Sequence, residues 1–221
     1  MENEFVFALG PVAIAASVAT TWGIMLAVTA IAWLSTRQLE MLPGTFQTIV
    51  EGIVAAIDEA ITAVAPEHGR QILPFIATLW LFLIIANLIG LIPGLHSPTR
   101  DLSVTSALAI LVFFSVHWFG IKTQGLKNYL RHYLSPTPIL LPFHIISELT
   151  RTLALAIRLF GNIMSLDMAA MLVLLVAGLL VPIPILMLHI IEALVQAYIF
   201  GMLALVYVAG AIQSQQHDSP E

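Results

Sequence analysis

Residues 139–182 read ILLPFHIISELTRTLALAIRLFGNIMSLDMAAMLVLLVAGLLVP, and this stretch decides the fold. It carries no proline between Pro142 and Pro182, so it reads as one continuous helix. About forty residues at 1.5 Å each make a helix of roughly 60 Å, twice the hydrocarbon thickness of a bilayer, so it must break or lie strongly tilted. Tilt is the better reading, because Gly161 is the only weak point before Gly178. Pro182 and Pro184 punctuate the far end, and residues 184–213 then return as a second long helix, giving an antiparallel hairpin. Near the middle of the outgoing helix stands Arg158. A guanidinium keeps its proton where Lys, His, Asp and Glu can neutralise. A charge at the bilayer centre costs from roughly 3 to more than 10 kcal/mol, so such a residue faces a bundle interior or watery cavity and usually marks an ion path.

Composition agrees with a membrane chain. The 221 residues are 59% hydrophobic and 10% charged, with a mean hydropathy of +0.97, whereas a soluble domain carries about 25% charged residues. Cysteine is absent, which excludes disulfides and thiolate metal sites. Of thirteen acids, five fall between Glu40 and Glu67, so the net charge of −5 belongs mostly to one surface segment. Nucleic acid is not an expected partner. The acidic start, Met1-Glu2-Asn3-Glu4, lacks the basic character of a secretory signal, so the first apolar run reads as a retained span.

The expected fold is an all-α membrane protein, a single membrane domain over residues 1–221. Residues 9–36, 70–95 and 101–122 are ordinary spans, and residues 138–180 and 184–213 form the tilted hairpin at the C-terminal end. Residues 43–66 place Phe46, Ile49, Val50, Ile53, Val54, Ile57, Ile61 and Val64 at helical spacing, with Glu51, Asp58 and Glu59 on the other side. That pattern fits an amphipathic helix lying on the membrane surface, or equally one docked on protein. With the amino terminus outside, Arg37, Arg70, Lys122, Lys127 and Arg131 fall on the cytoplasmic side and only Arg100 outside, with Arg151 and Arg158 within the span. The carboxyl terminus is then cytoplasmic.

At 3.6 residues per turn, His144, Glu148, Arg151, Leu155, Arg158, Asn162 and Ser165 share one seam of the outgoing helix. Asp167, nine residues after Arg158, points to roughly the opposite side. On the return helix His189, Glu192, Gln196 and Tyr207 fall near one face. Two such seams can face each other and form a hydrated line of titratable groups interrupted by a fixed charge. Blander readings exist for each residue: Arg158 paired with Glu148 or Glu192, Arg151 snorkelling or paired with Glu148, and His144 and His189 as satisfied interior histidines. No metal cluster has ligand spacing and no glycine-rich phosphate loop is present, so neither metal nor cofactor is expected.

The run Arg158-Leu159-Phe160-Gly161-Asn162 resembles the signature of subunit a of the F-type ATP synthase, the membrane stator of the F0 sector. Ser147-Glu148-Leu149-Thr150-Arg151, Gln196-Ala197-Tyr198-Ile199-Phe200 and Pro98-Thr99-Arg100-Asp101-Leu102-Ser103-Val104-Thr105 resemble other segments of that family in the same order. Thr152, Ala154 and Asp167 depart from it, since many relatives have proline, serine, and glutamate or histidine there. The resemblance implies an ion-translocating subunit with two offset half-channels, in which Arg158 is the essential arginine facing the rotor-ring carboxylate, with Asn162 and Gln196 as neighbours. It implies an outer access path through Asp167, His189 and Glu192, while position suggests His144, Ser147, Glu148 and Arg151 for the inner one. The implied partners are the ring of c subunits, the peripheral-stalk b subunits, the rest of the F1F0 complex, membrane lipid, and the translocated H+ or Na+. Nucleotide chemistry then occurs elsewhere, and a bacterial inner membrane is the expected location. The rival readings are a secondary transporter, which calls for paired broken helices and an internal repeat, and a structural membrane subunit of a respiratory complex.

Overall fold

The computed structural model describes residues 5–9, 12–37, 44–92, 97–126, 129, 141–177 and 182–213, without the side chains of 5–14, 124, 167, 174, 176, 177, 182, 183 and 185. The architecture is all-α, with five helices long and apolar enough to cross a membrane. A short antiparallel pair, β1 (Phe5–Leu9) and β2 (Val12–Ala15), precedes them. Helix α1 (Ala16–Thr36) therefore starts after the pair rather than at Leu9, because the aromatic and β-branched residues of the first segment favour extended pairing.

Helix α2 (Thr45–Val64) runs to α3 (Gly69–Leu88), which closes in a 3-10 turn at Ile89–Leu91. A second 3-10 turn, Pro98–Arg100, leads into α4 (Leu102–Gln124), which ends at Gly125 with φ of 79°. The hairpin follows as α5 (Leu141–Ala177) and α6 (Pro182–Gln213). The 37 residues of α5 are unbroken across Gly161, so the helix is about 55 Å long and fits a membrane only when inclined. Pro182 opens α6, where its missing N–H would have had no helical partner.

The core lies where α3, α4, α5 and α6 meet. Ile72, Ile76, Leu83, Val112, Leu159, Phe200, Leu205 and Val208 are nearly inaccessible there. Close approach of α3 to α6 follows from a stripe of small residues on α6: Ala193, Ala197, Gly201 and Ala204. Trp80 of α3 lies flat against Gly201, donates its indole N–H to the Tyr198 carbonyl at 3.3 Å and stacks on the Tyr198 ring at 5.9 Å.

Helix α2 divides its duties. Ile57 and Ile61 dock into the core, while Phe46, Ile49, Ile53 and Val54 remain exposed, so one half packs on protein and the other presents apolar surface. Gln213 Nε2 donates to the Val64 carbonyl at 3.1 Å, tying the ends of α6 and α2 together. At the other side of the bundle, the Ser17 hydroxyl donates to Asp101 Oδ2 at 2.7 Å, which ties the start of α1 to the start of α4.

Asp101 caps α4 by accepting from the Ser103 N–H at 2.9 Å. Burial pushes its carboxyl up, but hydrogen bonds from Ser17 and from the Ser103 N–H and hydroxyl outweigh it and hold the group below its ordinary 3.8. A depressed carboxylate contributes stability that is fully present above its unfolded value and is lost as pH falls through the lowered native one. Replacing Asp101 with Ala should cost about 1 kcal/mol at neutral pH, and Asp101→Asn less because Asn still caps. Denaturant titration of the detergent-solubilised chain checks both. A Cβ at position 201 would collide with the Trp80 indole. Gly201→Ala should accordingly destabilise the α3–α6 pair by about 1–3 kcal/mol, read in the same titration and relieved by Trp80→Leu.

Candidate functional site

The two polar seams meet at one level of the hairpin. Asn162 Nδ2 of α5 donates to Gln196 Oε1 of α6 at 2.7 Å. Gln196 is 2% exposed, and its Nε2 is buried without a hydrogen-bond partner. A buried amide with unspent donors is costly to keep unless something else comes to it. One turn before Asn162 stands Arg158, exposed on the surface of the chain. Its helix cannot rotate freely, since Leu155, Ala156, Leu159 and Ile163 are locked in the core on the adjacent stripe. The cation is thereby aimed outward from the bundle.

Among the described residues Arg158 has neither an ion-pair nor a hydrogen-bond partner, so static pairing with Glu148 or Glu192 is not the arrangement found. The interior position that a lone cation would suggest is also not found within this chain. The reason is geometric: one residue's step from Leu159 turns the side chain by about 100°, away from the packed stripe. Exposed Leu153 and Ile157 on α5, with Leu194, Val195 and Tyr198 on α6, make the surrounding surface apolar.

Arg151 is likewise exposed, and its guanidinium lies over the Tyr207 ring at 4.5 Å from the centroid, which joins the seams a second time. Such a contact holds a charge against an aromatic face for about 0.5–1 kcal/mol when exposed. Glu148 is half-buried, and His144 and Ser147 are exposed near the start of α5. On α6, His189 is 6% exposed with Nε2 unpartnered, and Glu192 is half-buried one turn further on. The side chain of Asp167 lies outside the described residues, although its backbone belongs to α5.

Sequence reasoning missed one polar group beside this site. Asn87 of α3, wholly buried, donates Nδ2 to the Ala193 carbonyl of α6 at 3.1 Å. Its signal was an asparagine within an otherwise apolar span, a residue type that needs a partner there. No grouping of three or more His, Cys, Asp or Glu residues able to hold a metal ion occurs among the described residues. The arrangement can therefore present a permanent cation, orient it through two amides, and offer titratable His and Glu on the inward face of α6.

A family model described as ATP synthase A chain matches residues 18–209. The chain is 66% identical over 212 residues to ATP synthase subunit a 2 of Pelobacter propionicus, covering 96% of this chain and 93% of the relative. It is 63% identical over 212 residues to ATP synthase subunit a 1 of Hahella chejuensis, with 96% and 90% covered. It is 59% identical over 214 residues to ATP synthase subunit a of Legionella pneumophila, with 96% and 93% covered. Because the chain has no cysteine, a double variant Asn162→Cys, Gln196→Cys should form a disulfide under mild oxidation, whereas Arg158→Cys with Gln196→Cys should not. Gel mobility before and after reduction reads both.

Proposed function

The chain belongs to the ATP synthase A chain family, and from that premise we propose that it is the ion-translocating stator subunit of a rotary F-type ATP synthase. It supplies two offset half-channels, with Arg158 facing the carboxylates of a rotor ring. The observation that carries this reading is the exposed, unpaired Arg158 at mid-span on an apolar surface. A permanent cation in hydrocarbon requires an anion, and with none provided in the chain the partner must bring it.

The chemistry follows from charge and proton retention. An ion enters one half-channel, neutralises a rotor carboxylate and travels almost a full turn before leaving by the other. Arg158 favours the ionised carboxylate as each one passes and so promotes release. Because it does not surrender its proton, it also blocks direct exchange between the two paths. Asn162 and Gln196 orient the guanidinium or its water. Asp167, His189 and Glu192 serve the outer path, and His144, Ser147, Glu148 and Arg151 the inner one. Each elementary charge crossing 100 mV releases about 2.3 kcal/mol, so several must cross per ATP.

The proposed setting is a bacterial inner membrane, with the amino terminus outside and the carboxyl terminus cytoplasmic. The Lys and Arg distribution supports this. So do the α2–α6 contact at Gln213 and the α1–α4 contact at Ser17, which belong to opposite sides of a five-span bundle. The partners are the c-subunit ring, the b subunits and the remaining F1F0 subunits, and nucleotide is handled elsewhere. The unbroken α5 argues against a transporter built on discontinuous helices.

In the assembled complex, Arg158→Ala should reduce ATP-driven ion pumping by about tenfold or more while raising passive ion leak, with assembly on native gels unchanged. Arg158→Lys should restore neither fully, because an ammonium can lose its proton. Coupled pumping by the assembled Ala variant at the wild-type rate would overturn the proposal.

A further inference from the structure

Asn87 is held in a buried network that no channel role requires. Its Nδ2 faces the Ala193 carbonyl at 3.1 Å, and a carbonyl only accepts, so the amide orientation is fixed. Its Oδ1 must then accept, and the Thr99 hydroxyl donates to it at 2.9 Å. The Ser97 hydroxyl lies 2.6 Å from Thr99 and 2.7 Å from the Ala86 carbonyl, so its one proton serves one of them at a time. Asn87 and Thr99 are both 0% exposed and Ser97 3%. The network joins α3, the 3-10 turn before α4, and α6.

Its place on α6 gives it consequence. Ala193 lies between Glu192 and Gln196, and its carbonyl already faces the Ala197 N–H as any helical carbonyl does. The second bond from Asn87 fixes α6 against α3 at the turn that carries those two side chains. The contrast with the neighbouring polar atoms is informative. Gln196 Nε2 and His189 Nε2 are buried and unspent, as suits groups that exchange partners, whereas both functions of the Asn87 amide are used. A satisfied buried amide is a rigid attachment.

We propose that Asn87 is a positioning residue for the ion path: by clamping the Ala193 carbonyl it sets the rotation of α6, and so brings Gln196 to Asn162 beside Arg158. This rests on the stator reading above. Loss of the clamp leaves the Ala193 carbonyl with its helical bond only and lets α6 turn about its axis. Gln196 then leaves Asn162, and the guanidinium loses its support.

The test uses the assembled complex with Asn87→Leu, similar in size but without donor or acceptor, and with Thr99→Val, which removes the other hydrogen bond of the amide and leaves the Ala193 contact. Two readouts are taken. One is disulfide yield between Asn162→Cys and Gln196→Cys, which needs no activity; the other is ATP-driven ion pumping against pH on the cysteine-free background. Asn87→Leu should lower disulfide yield and pumping by about tenfold each and displace the pH profile, while Thr99→Val stays within about twofold of wild type on both. Asn87→Ser, too short to reach Ala193 but small enough to fit, should follow Asn87→Leu. Wild-type disulfide yield and pH profile in Asn87→Leu would overturn the inference, as would equal losses in Thr99→Val or failure of both Asn87 variants to assemble. Normal pumping by Arg158→Ala would instead remove the stator reading, so the two failures are distinguishable.

Discussion

Hydrocarbon offers a guanidinium nothing to pair with, and a guanidinium has no neutral form to retreat to. That conflict organises the hairpin. Leu155, Leu159 and Ile163 pack inward and fix the rotation of α5, so that Arg158 leaves the bundle. Had the core stripe been shifted by one residue, the cation would have been driven among the apolar side chains of α4 and α6. Behind it, Asn162 and Gln196 are joined at 2.7 Å, which places amide groups next to the charge on the protein side only. The compensating anion belongs on the open side.

Holding that geometry requires a stiff backing, and the bundle supplies it through small residues and a few buried polar bonds. Ala193, Ala197, Gly201 and Ala204 let α3 come close to α6, and Trp80 fills the space that Gly201 leaves. In a membrane such packing has no hydrophobic drive of its own, because lipid tails are as apolar as leucine. Dispersion contacts and bonds such as Trp80 to Tyr198 and Asn87 to Ala193 must carry specificity instead. They cluster on α6, the helix whose inward face carries His189, Glu192 and Gln196.

Much of this was legible in the sequence. The absence of proline from 143 to 181 required an unbroken α5, and the spacing of Asn162 and Gln196 on their helices put them on facing seams. The aromatic and β-branched run at Phe5–Leu9 carried no helical alternation to reveal its pairing with Val12–Ala15, so the first span seemed longer than it is. Tyr207 was placed on the polar face of α6, but its meeting with Arg151 depends on how two helices cross, which periodicity along one chain does not encode. The same holds for Asn87. One asparagine in an apolar span says that a partner exists, and only the packing of α3 on α6 says that it is the Ala193 carbonyl. The outward aim of Arg158 was the hardest to read, because a single charge in a span suggests an interior position until a neighbouring molecule is considered.

The most direct measurement is a high-resolution structure of the assembled membrane sector, in which the distance from the Arg158 guanidinium to the nearest carboxylate of an adjacent chain is read. The account predicts a rotor-ring carboxylate within ion-pair reach, about 4 Å, or bridged to it by one water, with Asn162 and Gln196 on the opposite side of the guanidinium. A guanidinium directed into lipid, or closed in a pair with Glu148 or Glu192 and remote from any ring, would contradict it.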